Sequence, residues 1–524
     1  MPSHALSRTQ TVTKTVIETE GGVVAAQNAL AAEAGAEVLR AGGDAVDAAV
    51  ATSFAIGVLE PWMSGPAGGG AMMLWRADKG EAVALNHGMR APQGLNVADY
   101  PLTGAGIASG DLFPWEQVVD DRNVQGATAV AVPGVVDGLG QAHERWGRMP
   151  WAELLAPAIE HAKRGMLVDW YAGLCIASAT RELAKDADAA AMFLVDGQWP
   201  KIGAWTALNE TRLDQSRMAD SLDAIARGGA RALYDGDVGA AMAADIQAKG
   251  GSLSHQDLKD YRAEFHAALS FAYRGGRMHA VPGLTAGPTL AHALGVAEKT
   301  ELAGDALDGA AYAAYARGLK SAYAERLKGM GDDGESPKAP GTTTHFSVVD
   351  RQGNMVAQTQ TLLSIFGSRV VSPSTGFLMN NGIMWFDPVQ GRPNSLGPGK
   401  RCLMNVCPAI GEIGDTRFAI GASGGRKIVS AIAHLSGFML DYGMDIGAAF
   451  HTPRVDVSGG AVAVADESLS DEVLTALRAE NEVKTAPRTV FPYTFACPAG
   501  VMRRGGRNSG CTEIMSPWGD AVCE

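Results

Sequence analysis

Residues 340–364 read PGTTTHFSVVDRQGNMVAQTQTLLS. Two apolar-rich runs flank Asp350-Arg351-Gln352-Gly353-Asn354. That is a three-residue hairpin loop with glycine third, the position that favours a left-handed backbone. With the hairpin centred on Gln352, Asp350 faces Asn354 and Thr343 faces Thr361. Directly opposed residues hold their Cβ atoms about 4.5 to 5.5 Å apart, close enough for two threonine hydroxyls to bond. The spacing therefore predicts a threonine pair at the open end of the hairpin. Taken alone the pair has a bland reading, because threonine is simply a good strand residue.

The segment just upstream, GMGDDGESPKAPGT at 329–342, is polar, rich in Gly and Pro, and without apolar period. It predicts a loop or linker. Before it the chain reads mostly as helices. VAAQNALAAEAGAEVLRA (24–41) predicts a helix stopped by Gly42-Gly43, and Asp44 caps a second helix that Pro61 ends. Residues 134–170 read as helical around the turn WGRMPW. Residues 220–330 read as helix-rich, with a Ser-capped helix in KGGSLSHQDLKDY. After residue 342 strands dominate: THFSVVD, NMVAQTQTLL, TRFAIGAS and GAVAVAD. The glycine run SGPAGGG leads into a strand and lacks the Gly-Lys-Ser/Thr ending of a phosphate loop. The whole predicts one α/β unit crossed by a loop.

Composition narrows the function classes. The chain has 524 residues, 46% apolar and 19% charged, with 65 glycines and a net charge of −13. That charge argues against a nucleic-acid surface and an anionic membrane partner. AAVATSFAIGVLEPW (48–62) is too short to span a bilayer. The first twenty residues lack the apolar core of a secretory signal, so the expected location is the cytoplasm. Six scattered cysteines, with Cys402 and Cys407 lacking a second pair at zinc spacing, predict buried free thiols and no metal site.

Five collinear blocks resemble the γ-glutamyltransferase family of N-terminal-nucleophile hydrolases: GGDAVDAAVATSFAIGVLEPWMSGPAGGGAMML (42–74), AVPGVVDGLGQAHERWGRMPWAELLAPAIEHAKRGMLV (131–168), TTHFSVVDRQGNMVAQTQTLLSIFGS (343–368), GPGKRCLMNVCPAI (397–410) and GASGGRKI (421–428). The resemblance implies a four-layer αββα sandwich and a precursor that cuts itself before a threonine. By motif match that threonine is Thr343. Residues 1–342 would form a large subunit and 343–524 a small one, the two staying associated as one αββα unit. Thr361 would support the nucleophile, and the backbone N–H groups of Gly424 and Gly425 would form the oxyanion hole. The resemblance implies no cofactor and a small-molecule amide substrate, and it admits a homodimer of processed units. A freed threonine amine, with a pKa of about 7.7 to 8.0, is a base matched to neutral pH.

The head-group positions depart from the family. An Asn after the second threonine is Leu363, an acidic residue is Trp385, and two serines are Met404 and Asn405. The clamp arginine falls near Gly88, with Arg90 two residues on as a substitute. The expected activity is therefore amide hydrolysis with a non-γ-glutamyl acyl group, as in relatives acting on oxamate, cephalosporins or poly-γ-glutamate. The alternatives are a genuine γ-glutamyltransferase or glutathione hydrolase and, against the intact threonines and glycines, a non-catalytic scaffold.

Overall fold

The computed structural model describes residues 13–107, 115–203, 206, 209–302, 304, 306–330, 341–458, 460–491 and 493–524. Its centre is a pair of seven-stranded antiparallel sheets. In the first, neighbouring strands run Glu264–Ala267, Glu81–His87, Gly69–Arg76, Met355–Ser364, Gly341–Val349, Val23–Ala26 and Asp520–Cys523. In the second they run Ile17–Thr19, Arg507–Thr512, Cys497–Arg504, Thr416–Ser423, Ala409–Ile413, Gly276–Ala280 and Leu269–Tyr273.

Side-chain alternation stacks these sheets into four layers. Along Gly69–Arg76, Ala71, Met73 and Trp75 join a cluster with Ile410, Ala419 and Val501 of the second sheet. Met72 and Leu74 point the other way, into a cluster with Val50 and Phe54 of helix Ala45–Leu59. In the second sheet Phe418 and Ile420 turn outward onto Ile432 and Leu435 of helix Lys427–Asp441. Strand residues of opposite parity thus face opposite layers, giving helices, sheet, sheet, helices. Because both faces are covered, AMMLW is continuously apolar rather than alternating.

The first sheet interleaves the two halves of the chain. Gly341–Val349 lies between Met355–Ser364 and the N-terminal strand Val23–Ala26, which in turn pairs with Asp520–Cys523. Residues before and after 342 therefore share ladders and cores, and could not separate without breaking them.

Several expectations hold and some are corrected. Asp44 caps Ala45–Leu59 in a capping box with Asp47, and Ser254 caps His255–Asp260. The helix predicted from residue 24 begins at Ala29, capped by Asn28; Val23–Ala26 is a strand. Its alanines are claimed by pairing with Ser347 and Phe346, a tertiary choice that helix propensity cannot see. The helix-rich region before 330 carries three strands within 264–280. The expected loop at 329–342 is shorter, since a helix reaches Met330 and a strand begins at Gly341; the remainder, 331–340, lies outside the described residues. Among the described residues no helix is long and apolar enough to cross a membrane, and no cluster of His, Cys, Asp or Glu could hold a metal. All six cysteines are free thiols, five of them buried.

Candidate active site

The hairpin closes as its sequence predicts. Asp350 N donates to Asn354 O at 3.0 Å, and Gly353 has φ +87°. The register pairs Val349 with Met355 and holds to Thr344 opposite Gln360. It then shifts by one residue, so that Thr342 faces Leu363. Thr343 is the single residue opposite that bulge, whose extra residue lies in Met355–Ser364 at Thr361-Leu362; bulges are a common device for re-aiming a side chain beside an active site. Its Oγ1 donates to Thr361 Oγ1 at 3.2 Å, with both residues buried.

Thr361 is held from two further sides. Leu363 N donates to its Oγ1 at 2.8 Å, with Leu363 at φ +86°, a backbone conformation costly for a leucine. Phe366 and Arg369 follow at φ +59° and +60°, so non-glycine strain is concentrated beside this threonine. On the other side Gly69 pairs with Thr361. A Cβ at Gly68 would lie 2.5 Å from the Thr361 carbonyl oxygen, and one at Gly70 2.1 Å from that of Thr359. The glycine run thus serves close backbone approach beneath the threonine pair.

The second sheet brings the glycine pair to the same end. Strand Thr416–Ser423 packs against Gly341–Val349, and a Cβ at Gly421 would strike the His345 ring at 2.3 Å. The chain then turns through Gly424 (φ +127°) and Gly425 (φ +60°) into helix Lys427–Asp441. Their carbonyls accept from Lys427 N and Ile428 N, and the turn's N–H groups stand at a helix N-terminus, where negative charge is favoured.

One residue ties the two halves of the site together, and no sequence motif marked it. Gln27 Oε1 accepts from Thr344 Oγ1 at 3.2 Å, while its Nε2 donates to Ser423 Oγ at 2.8 Å and to Cys497 O at 2.5 Å. Thr344 adjoins the candidate nucleophile and Ser423 adjoins the glycine turn. Tyr493 Oη shares a 2.6 Å hydrogen bond with the same Ser423 hydroxyl. Glu60 approaches Thr344 Oγ1 at 3.5 Å, and burial pushes its carboxyl up to about 8. Its one advance signal was a lone carboxylate in the apolar run AIGVLEPW. His345, bonded to Thr359 and Ser347, is driven down to about 3 by burial and stays neutral. It is a core histidine between the sheets.

The positions matched to the family's head-group contacts form an apolar wall. Leu363, Trp385 and Met404 are each at most 3% exposed and belong to one cluster. Met404 lies against position 88: a Cβ on Gly88 would lie 2.6 Å from Met404 Cε, so a side chain there would require the flexible thioether to move. The thioether fills the space a clamp side chain would need. Arg90 is engaged elsewhere, donating to Glu264 Oε1 at 2.7 Å, an oxygen that also pairs with Arg401. Lys427 Nζ donates to Tyr493 O, and Tyr323 donates to the Arg426 carbonyl. Asn405 accepts from Arg326, a residue the sequence gave no reason to single out.

The family model described as gamma-glutamyltranspeptidase matches residues 31–340 and 333–491. The chain is 34% identical over 505 residues to an acylase ACY 1 proenzyme of Pseudomonas sp. (strain V22), covering 89% of this chain and 88% of that one. It is 28% identical over 513 residues to a glutathione hydrolase proenzyme of Bacillus subtilis (strain 168), covering 87% and 84%. Its fold superposes on the crystal structure of cephalosporin acylase from Bacillus halodurans with a TM-score of 0.81 at 25% identity, over 100% of this chain and 99% of that one. The chain belongs to the gamma-glutamyltranspeptidase family.

Proposed function

We propose that the chain cuts itself between Thr342 and Thr343 and becomes an amide hydrolase whose acyl group is not γ-glutamyl. The observation that carries this is Thr343 opposite the bulge at Thr361-Leu362, bonded to Thr361, in a chain similar over most of its length to an acylase proenzyme. In the precursor Thr343 Oγ1 attacks the Thr342 carbonyl, and the peptide bond becomes an ester. In that shift the C–N bond breaks and the Oγ1 proton passes to nitrogen, freeing the Thr343 amine; water then hydrolyses the ester, releasing the Thr342 carboxylate and restoring the Thr343 hydroxyl.

The freed amine then serves as base for its own hydroxyl. It takes the Oγ1 proton as the oxygen attacks the substrate carbonyl. The oxyanion is met by N–H groups of the Gly424–Gly425 turn, donors fixed before the reaction begins. Collapse expels the amine product, which takes up the proton, and leaves an acyl-threonine ester. Water, deprotonated by the same α-amine, releases the acid.

The wall of Leu363, Trp385 and Met404 supports the choice of acyl group. A buried ammonium with no carboxylate partner would cost several kcal/mol. The test compares kcat/KM for a γ-glutamyl anilide with that for the anilide lacking the α-amine. The deaminated compound should win by about tenfold or more. A tenfold advantage for the γ-glutamyl compound would instead make this a glutathione hydrolase, with Arg90 the first residue to mutate.

A further inference from the structure

Gln27 reaches both halves of the site from a fixed place. It follows strand Val23–Ala26, whose Ala26 pairs with Phe346, and precedes Asn28, the cap of helix Ala29–Arg40. It is 4% exposed. On one side its Oε1 accepts from Thr344 Oγ1 of the first sheet. On the other its Nε2 donates to Ser423 Oγ and Cys497 O, residues that face each other in the second sheet.

These bonds have one arrangement. The Cys497 carbonyl only accepts, so the amide nitrogen must face it and the amide oxygen must face Thr344. Thr344 therefore commits its single proton to Gln27. Toward Glu60 Oε2, 3.5 Å away, it has only lone pairs to offer. Burial, which pushes the Glu60 carboxyl up to about 8, keeps a proton there to meet them at neutral pH. Ser423 in turn shares its hydroxyl with Tyr493 Oη.

The candidate nucleophile Thr343 adjoins Thr344 on the first sheet, and the Gly424–Gly425 turn adjoins Ser423 on the second. Packing between the two sheets is mainly apolar and has no direction of its own. Hydrogen bonds fix distance and angle. Attack on a carbonyl needs reacting atoms about 3 to 3.5 Å apart, and a misplacement of about 1 Å can cost about 10²-fold.

We infer that Gln27 is a positioning residue for the proposed hydrolysis, locking the strand that carries Thr343 to the oxyanion turn across the two sheets. This rests on the hydrolase reading. The bonds of Gln27 go to Thr344, Ser423 and Cys497 rather than to Thr343 or the wall of Leu363, Trp385 and Met404, so its loss should fall on kcat and spare KM.

Gln27→Met keeps the length of the side chain and removes the amide. Steady-state kinetics on the processed enzyme, with whichever of the two anilides the wild type cleaves faster, should show kcat down by about tenfold or more and KM within about twofold. Ser423→Ala cuts the bridge from the second sheet and Thr344→Val from the first; they carry the test should Gln27→Met fail to fold or to cut itself. Each should lower kcat, and Thr344→Ser should recover most of what Thr344→Val loses. The double variant Gln27→Met, Ser423→Ala should fall no further than Gln27→Met alone. Wild-type kcat in Gln27→Met, losses that multiply in the double variant, or a lower melting temperature with kcat intact overturns the inference and leaves the hydrolase reading standing. A wild-type protein that neither cuts itself nor hydrolyses either anilide overturns both.

Discussion

Thr343 Oγ1 and Thr361 Oγ1 lie 3.2 Å apart across a hairpin whose register shifts at Thr343 itself. Thr361 accepts from both the candidate nucleophile and Leu363 N, so its oxygen orients one group and braces a strained turn. Thr361→Val removes that acceptor at nearly constant volume. The variant should fold, with wild-type circular dichroism, and lose about tenfold or more in kcat/KM. Wild-type turnover would reduce the pair to strand architecture.

The proposed oxyanion turn gives a second expectation. Gly424 adopts φ +127°, and a Cβ there would lie 2.9 Å from Ala496 Cα, a backbone atom with little room to move. Gly424→Ala should therefore displace the turn. Loss of one oxyanion donor costs about 10²- to 10³-fold in kcat, and a fall of that order with substrate binding retained is expected. Single-turnover kinetics separate the two quantities. An unchanged kcat would exclude the turn from the chemistry.

Much of this site was legible because it is local. Gly353 and period-two alternation set the hairpin register as far as Thr344 opposite Gln360, and the two threonine hydroxyls meet although the ladder slips by one residue there. Val23–Ala26 was not legible, because an alanine-rich run reads as helix until Ser347 and Phe346 claim it as a strand. Gln27 escaped for a related reason. Its partners Thr344 and Ser423 are more than 300 residues away, and no spacing encodes such a bridge. Arg326 likewise bonds Asn405 by a contact between distant parts of the chain. The apolar wall was legible residue by residue, but that the Met404 thioether occupies the space beside Gly88 needed the fold.

Glu60 makes stability depend on pH. Burial raises its pKa from 4.5 to about 8, so the stability it confers is full below 4.5 and lost as pH rises toward about 8. The titratable groups around it, Tyr171, Cys175 and Cys497, are themselves shifted up and uncharged over that window. Glu60→Gln mimics the protonated acid at every pH. Its melting temperature relative to wild type should rise between about pH 5 and pH 8.5. A difference constant with pH would show that Glu60 does not titrate in this window.

The central claim is that Thr343 becomes a nucleophile by becoming an N-terminus, and mass spectrometry with N-terminal sequencing of the purified protein tests it most directly. The claim predicts two co-purifying fragments, the smaller beginning Thr-Thr-His-Phe-Ser, and a Thr343→Ala chain that stays intact and inactive. A single uncut chain of 54.5 kDa with full amidase activity would contradict it.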